Sequence, residues 1–268
     1  MDLGLAGRTV LITGGSKGIG LACAHGFAAE GCDVHLVART GADLERARSD
    51  ISGRHQVQVT TSALDLSDSA NVDRLVETAG DIDILVNNAG AIPAGSIDDV
   101  DESRWREAWD LKIYGYINMT RAFLARMKAR GAGVIINDIG TGGEKLDFDY
   151  IAGAAGNASM MAFTRAIGSR SIYSGVRVVG VNPGPVETDR TFAGENERCK
   201  ASDLPAQLNV SFQSMPPSTT ISQRADISSQ PSNTDTVVIK LSRHGAPPPT
   251  LLPDRLFRWA SCVTQPSL

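Results

Sequence analysis

Thr13-Gly14-Gly15-Ser16-Lys17-Gly18-Ile19-Gly20 follows the apolar run Thr9-Val10-Leu11-Ile12 and opens into Leu21-Ala22-Cys23-Ala24-His25-Gly26-Phe27-Ala28-Ala29. Strand, glycine-rich turn and helix are laid end to end. Glycine tolerates positive φ and lets a pyrophosphate come close to the main chain. A helix starting directly after such a turn aims its unpaired N–H groups and positive dipole end at that anion. Ordinary strand–helix turns also use glycine, so the rest of the chain decides the reading.

Working outward, apolar runs recur at Thr9–Thr13, Asp33–Ala38, Val57–Ala63, Ile82–Asn87, Val134–Asn137 and Val176–Val181. Most are continuous rather than alternating, the pattern of parallel strands buried on both faces. Between them the sequence predicts helices near 18–30, 41–51, 68–79, 102–130 and 154–170. In the long one, Trp105, Trp109, Tyr116, Phe123 and Met127 fall near the helical repeat, and Gly131 ends it. Alternating strands and helices with right-handed crossovers predict an α/β fold: a Rossmann-like, doubly wound parallel sheet in three α/β/α layers. In such a fold the turn after the first strand is where a dinucleotide binds.

Composition removes other classes. A net charge of −4 on 268 residues offers no footprint for nucleic acid or an anionic membrane. No apolar run approaches the roughly 20 residues that span a bilayer, and Met1–Leu5 lacks a basic, then apolar, leader, so secretion is not expected. Cys23, Cys32, Cys199 and Cys262 have no CxxC spacing, and the histidines are scattered. Free thiols in a reducing, cytoplasmic compartment and no metal site are the expectation.

In Thr13 to Gly20, Asp65-Leu66, Asn87-Asn88-Ala89-Gly90 and Asn182-Pro183-Gly184-Pro185, in that order along the chain, the sequence resembles the short-chain dehydrogenases/reductases, a family of nicotinamide-dependent oxidoreductases. The TGxxxGxG loop is matched by Thr13 to Gly20, the Asp after the third strand by Asp65-Leu66, and the NNAG segment by Asn87-Asn88-Ala89-Gly90. The Asn-Pro-Gly segment after the sixth strand is matched by Asn182-Pro183-Gly184-Pro185, with Thr188 following. The resemblance covers about residues 5–190. It implies cofactor contacts from Gly14, Ser16, Lys17, Gly18, Ile19, Gly20, Asp65, Leu66, Asn88, Ala89, Gly90, Pro183, Gly184, Val186 and Thr188. It also implies a small-molecule carbonyl or secondary alcohol as substrate, and a homodimer or homotetramer.

Cofactor choice follows from charge. A site selecting NAD(H) usually ends its second strand with a carboxylate on the ribose hydroxyls. Here Ala38 stands at that place, followed by Arg39, with Lys17 inside the loop. Two cations attract a 2′-phosphate through charge-assisted hydrogen bonds of roughly 1.5–3 kcal/mol each. The expectation is NADP(H) ahead of NAD(H).

The family's catalytic side chains are a Ser, a Tyr thirteen residues later, a Lys four beyond it, and an Asn on the long helix. Aligned on Val134–Asn137, the first three fall on Gly140, Gly153 and Asn157, and Gly115 with Thr120-Arg121-Ala122 on the long helix places the fourth at Lys112. The Asn position holds a Lys and the Lys position an Asn, so the two residue types are exchanged. Tyr150, three residues before Gly153, has space to lean toward the nicotinamide, and Thr141 is the hydroxyl nearest the Ser position. The catalytic expectation is therefore Tyr150, Lys112 and Asn157. A cofactor-binding protein with little or no turnover stands as the alternative, since a fold licenses no chemistry by itself.

After Arg190 the chain changes character. Residues 191–268 hold 9 of the 12 prolines but 2 of the 27 glycines. Two units are expected: a cofactor-binding domain over 1–190 and a divergent Pro/Ser-rich segment over 191–268. In the latter, Ser211–Ser232 reads as loop or disorder, Thr236–Lys240 as a short strand and Leu256–Trp259 as an apolar patch.

Overall fold

A computed structural model describes residues 3–184 and Val186. The expectations for Thr188 and for 191–268 lie outside the described residues. Six parallel strands form one sheet: β1 (Thr9–Thr13), β2 (Asp33–Ala38), β3 (Val59–Ala63), β4 (Ile84–Asn87), β5 (Gly133–Asp138) and β6 (Val176–Val181). Their order is β3-β2-β1-β4-β5-β6. The order reverses between β1 and β4, so a crevice opens beyond their C-terminal ends. The helices are α1 (Gly18–Ala29), α2 (Gly41–Arg54), α3 (Ser69–Thr78), α4 (Glu102–Trp109), α5 (Gly115–Arg130) and α6 (Ile151–Ser171).

The expected three layers are observed. Successive strand residues point to opposite faces, so Val10 and Ile12 pack with Phe27, Leu36, Leu44 and Ile51 under α1 and α2. Leu11 and Val37 pack on the other face with Leu75, Leu85, Phe123 and Met127 under α3 and α5. The burial of each such side chain contributes roughly 1.5–3 kcal/mol. A smaller cluster of Ile113, Tyr116, Met160 and Met161 joins α5 to α6.

Element boundaries differ from expectation where a neighbour sets them. β3 begins at Val59 rather than Val57 because Val34 is already its partner there, next to the first residue of β2. β4 likewise begins at Ile84, opposite Val10. The single helix expected over 102–130 is interrupted by a π-helical turn, Asp110–Tyr114, closed by the Gly115 N–H on the Asp110 carbonyl. That widened turn buries two consecutive side chains, Lys112 and Ile113, and π turns often mark functional sites. Gly115 lies against the β3–α3 loop, where a Cβ would stand 3.2 Å from the Leu66 carbonyl oxygen. α5 ends as expected at Gly131, which adopts φ +72°. α6 begins at Ile151, earlier than expected, because the preceding chain is stitched to the loop after β4: the Gly95 N–H donates to the Asp149 carbonyl at 2.6 Å and the Ile151 N–H to that of Gly95 at 3.2 Å.

Candidate active site

The two loops at the switch point are fastened to each other by Thr13. Its hydroxyl donates to the Val86 carbonyl (3.3 Å) and accepts the N–H groups of Asn88 (2.9 Å) and Ala89 (3.0 Å). The Asn88 Nδ2 donates back to the carbonyls of Thr13 (2.9 Å) and Gly14 (3.2 Å). Gly14 and Gly18 take φ +66° and +54°, and at Gly20 a Cβ would sit 2.2 Å from the Gly14 carbonyl oxygen. α1 starts after Lys17, whose own side chain does not cap its N–H groups. A glycine cradle that leads straight into helical N–H groups fits a pyrophosphate.

Beside this cradle lies a cleft of about 380 Å³ lined by Ser16, Lys17, Leu21, Asp43, Arg46 and Asp50. The Lys17 ammonium meets Asp43 at 2.9 Å and Arg46 pairs with the same carboxylate. The hydrogen bond from Lys17 holds the Asp43 carboxyl below the usual carboxylate range. Arg39 is exposed beyond the end of β2, Ile19 is half-buried, and Ala38 leaves that strand end without a carboxylate.

The other expected contacts are distributed along the same edge. The Asp65 carboxylate accepts from the backbone (3.0 Å) and hydroxyl (2.8 Å) of Ser67. The Leu66 side chain is buried in the core of the α3–α5 face. Beyond β6, the Pro183 carbonyl accepts the Thr141 N–H at 3.0 Å, and Gly184 and Val186 follow, half-buried.

The catalytic candidates fall into two adjoining groups around the chain that leaves β5. Tyr150 precedes α6, and its ring covers Gly153: a Cβ on Gly153 would lie 2.0 Å from its Cε1 and Cζ. The phenol thus occupies space that any side chain at 153 would need. A Cβ on Gly142 would stand 3.0 Å from the Tyr150 ring and 3.1 Å from the Asn157 Nδ2. The Asn157 amide also approaches Gly140, 3.3 Å from an added Cβ. Among the described residues its Oδ1 is buried without a hydrogen-bond partner. Gly140 adopts φ +115°, a conformation that a serine would hold only under strain.

Lys112 forms the second group. Only 8% exposed, it lies under Gly90, where a Cβ would meet its Cδ at 2.7 Å. Its Nζ donates to the Tyr116 hydroxyl (2.9 Å) and the Asp138 carbonyl (2.5 Å), and Tyr116 donates to the same carbonyl at 2.9 Å. Burial, and then the Asp138 charge, pushes the Tyr116 phenol well above its ordinary range.

Asp138 and Tyr116 were not anticipated. The available signal was a carboxylate closing the apolar strand Val134-Ile135-Ile136-Asn137, at the edge where ligands bind. Burial raises the Asp138 carboxyl to about 6, with Lys112 opposing the shift. The folded chain keeps this proton to higher pH than the unfolded chain does. Stability from this group therefore falls as pH rises from about 4 through about 6. The gap from the ordinary value is worth about 3 kcal/mol. Asp138→Asn is expected to match the parent in urea unfolding at pH 4 and to exceed it by about 3 kcal/mol at pH 8. An equal difference at both pH values would contradict the raised carboxyl.

Among the described residues no helix is long and apolar enough to cross a membrane, and no cluster of three or more His, Cys, Asp or Glu is arranged to hold a metal ion. The family model for short chain dehydrogenase matches residues 8–198. The chain belongs to the short-chain dehydrogenase/reductase family, oxidoreductases that use NAD(P). It is 32% identical over 204 residues to NADPH-dependent aldehyde reductase 1, chloroplastic, of Arabidopsis thaliana, covering 72% of this chain and 70% of that protein. It is 30% identical over 190 residues to galactitol 2-dehydrogenase (L-tagatose-forming) of Cereibacter sphaeroides, covering 70% and 75%. Among solved structures, L-sorbose reductase from Gluconobacter frateurii, complexed with NADPH and L-sorbose, aligns with a TM-score of 0.70 at 32% identity, over 76% of this chain and 79% of that one.

Proposed function

We propose that this protein is an NADP(H)-dependent short-chain oxidoreductase acting on a carbonyl or secondary alcohol of a small molecule, with residues 1–190 as its cofactor-binding unit and 191–268 as a separate segment. The observation that carries the reading is the phenol of Tyr150 lying over Gly153. The ring of Tyr150 fills the place where a side chain at 153 would begin, so a phenol from another position in the chain lies beside the position that the resemblance gives to a tyrosine.

Gly14, Ser16, Gly18 and Gly20 would hold the pyrophosphate, Asn88, Ala89 and Gly90 the adjoining ribose side, and Pro183, Gly184 and Val186 the far end. Bound there, the dinucleotide supplies or accepts a hydride at its nicotinamide. Tyr150 exchanges a proton with the substrate oxygen, Asn157 offers amide hydrogen bonds beside it, and Lys112 contributes a buried positive charge. General acid–base help of this kind contributes roughly 10²–10⁴-fold in rate. The buried thiols Cys23 and Cys32 are free, in keeping with a cytoplasmic protein. A homodimer or homotetramer remains part of the proposal.

NADP(H) is preferred because Asp43 is already balanced by Lys17 and Arg46, which leaves Arg39 in excess for a 2′-phosphate. Titration of nicotinamide fluorescence is expected to give at least about tenfold tighter binding of NADPH than of NADH. Arg39→Glu is expected to erase that ratio. Equal affinities in the parent would remove the NADP(H) preference, and tighter binding of NADH would point to NAD(H).

A second reading, a cofactor-binding protein with little turnover, is favoured by glycine at 140 and 153 and asparagine at 157. NADPH binding without reduction of any member of a carbonyl panel, at protein concentrations sufficient to detect a 10⁴-fold impaired enzyme, would favour it.

A further inference from the structure

Asp138 is the last residue of β5, whose neighbour β4 ends in the segment locked to the phosphate loop. A dinucleotide spans the switch-point crevice with one half on each side. β1–β2–β3 hold the adenosine half, so the β4–β5–β6 edge faces the nicotinamide half. Strand alternation puts the Asp138 side chain on the same face as Ile136, in the core cluster shared with Cys23, Ala24 and Phe27 of α1. That is the face on which the glycine-rich loop opens. The Asp138 main chain is fixed from the opposite side by Lys112 and Tyr116. Among the described residues no donor reaches its carboxyl oxygens.

Resting on the cofactor reading above, we propose that protonation of the Asp138 carboxyl is coupled to the redox state of the bound dinucleotide. The carboxylate favours the oxidised, cationic nicotinamide, and the neutral acid favours the reduced, uncharged ring. An opposite charge nearby favours the ionised form of a carboxyl, and thermodynamic linkage makes the preference mutual. Among the described residues, the titratable groups whose fields reach Asp138 come from three elements. Lys112, on the π turn, lowers its carboxyl; Tyr116 on α5 and Cys23 on α1 each feel its charge, and both are pushed up mainly by their own burial. Tyr116 and Cys23 therefore stay neutral at physiological pH, and Asp138 is the group positioned to respond.

The test measures Kd for NADPH and for NADP+ between pH 5 and pH 8, in the parent and in Asp138→Asn. In the parent the ratio of Kd for NADPH to Kd for NADP+ is expected to rise about tenfold over that range, one decade for each pH unit by which the cation lowers the carboxyl. In Asp138→Asn the ratio is expected to be flat. The 2′-phosphate also titrates near pH 6, but both redox forms carry it and it cancels in the ratio. A second readout needs no turnover: the ¹³C carboxyl resonance of Asp138, assigned by its loss in Asp138→Asn, is expected to titrate at lower pH with NADP+ bound than in the protein alone. A flat ratio in the parent, a slope that survives in Asp138→Asn, or an unmoved carboxyl titration overturns the inference while leaving cofactor binding intact. Failure of both dinucleotides to bind either protein at any pH overturns the cofactor reading, and this inference with it. Asp138→Asn is expected to be at least as stable as the parent, so misfolding does not imitate these outcomes.

Discussion

Tyr150→Phe is expected to lower kcat for carbonyl reduction by roughly 10²–10⁴-fold while leaving NADPH affinity within about twofold. The substitution keeps the ring, and with it the packing against Gly153 and against the cluster of Ile92, Val100, Ala108 and Ala152. Only the hydroxyl is lost. A phenol that merely fills space would lose little activity as phenylalanine, so the size of the drop separates chemistry from packing. Gly153→Ala approaches the same atom from the other direction. Its methyl group would lie 2.0 Å from the ring carbons of Tyr150, and the ring must move. Gly153→Ala is therefore expected to reproduce most of the Tyr150→Phe loss. The double variant should be hardly worse than either single one, because both act through one group. Steady-state kinetics on the three variants decides it. A fully active Gly153→Ala, or multiplicative losses in the double variant, would remove Tyr150 from the catalytic proposal.

Gly20→Ala is expected to weaken NADPH binding about ten- to hundredfold and to lower the unfolding temperature. The added carbon would stand 2.2 Å from the Gly14 carbonyl oxygen and 2.6 Å from the Asn88 Nδ2. The first is main chain, so relief requires the phosphate loop to move away from α1, and overpacking of this kind typically costs 1–3 kcal/mol. Loop movement withdraws the N–H groups from the pyrophosphate, and each charge-assisted bond lost costs roughly 1.5–3 kcal/mol of binding. Gly53→Ala is the control. Gly53 lies within α2 with nothing within 4 Å of an added Cβ and no positive φ, so alanine there should stabilise by roughly 0.5–1 kcal/mol. Isothermal titration and thermal melts on both variants check the pair. Unchanged NADPH affinity in Gly20→Ala would mean that the cradle does not hold the pyrophosphate.

Much of this molecule is legible from local pattern. All six strand runs form strands, and two begin late only because the neighbouring strand starts there. The glycine loop, the Asn88 segment and Gly131 were readable because each meets a steric or hydrogen-bonding requirement confined to a few residues. The π turn at Asp110–Tyr114 was not readable. A twenty-nine-residue amphipathic pattern looks continuous, whereas the widened turn shows itself only through where Lys112 and Ile113 end up.

The amino-acid sequence by itself determined the doubly wound sheet, the glycine-rich turn and the family, since strand period, helix period and glycine placement are set by neighbours along the chain. It also placed glycine at 140 and 153 and a lysine at 112. The tertiary structure alone decided what stands in the spaces those glycines leave. Tyr150 swings over Gly153, Asn157 turns toward Gly140 and Gly142, and Lys112 and Tyr116 converge on the Asp138 carbonyl. Tyr150 and Gly153 are close along the chain, but Asn157, Lys112 and the groups they meet lie on separate elements, and those contacts depend on how α5, α6 and β5 pack. Burial then sets the protonation of Asp138, a property that no short stretch of sequence carries, because it arises from the desolvation and charge that distant residues supply.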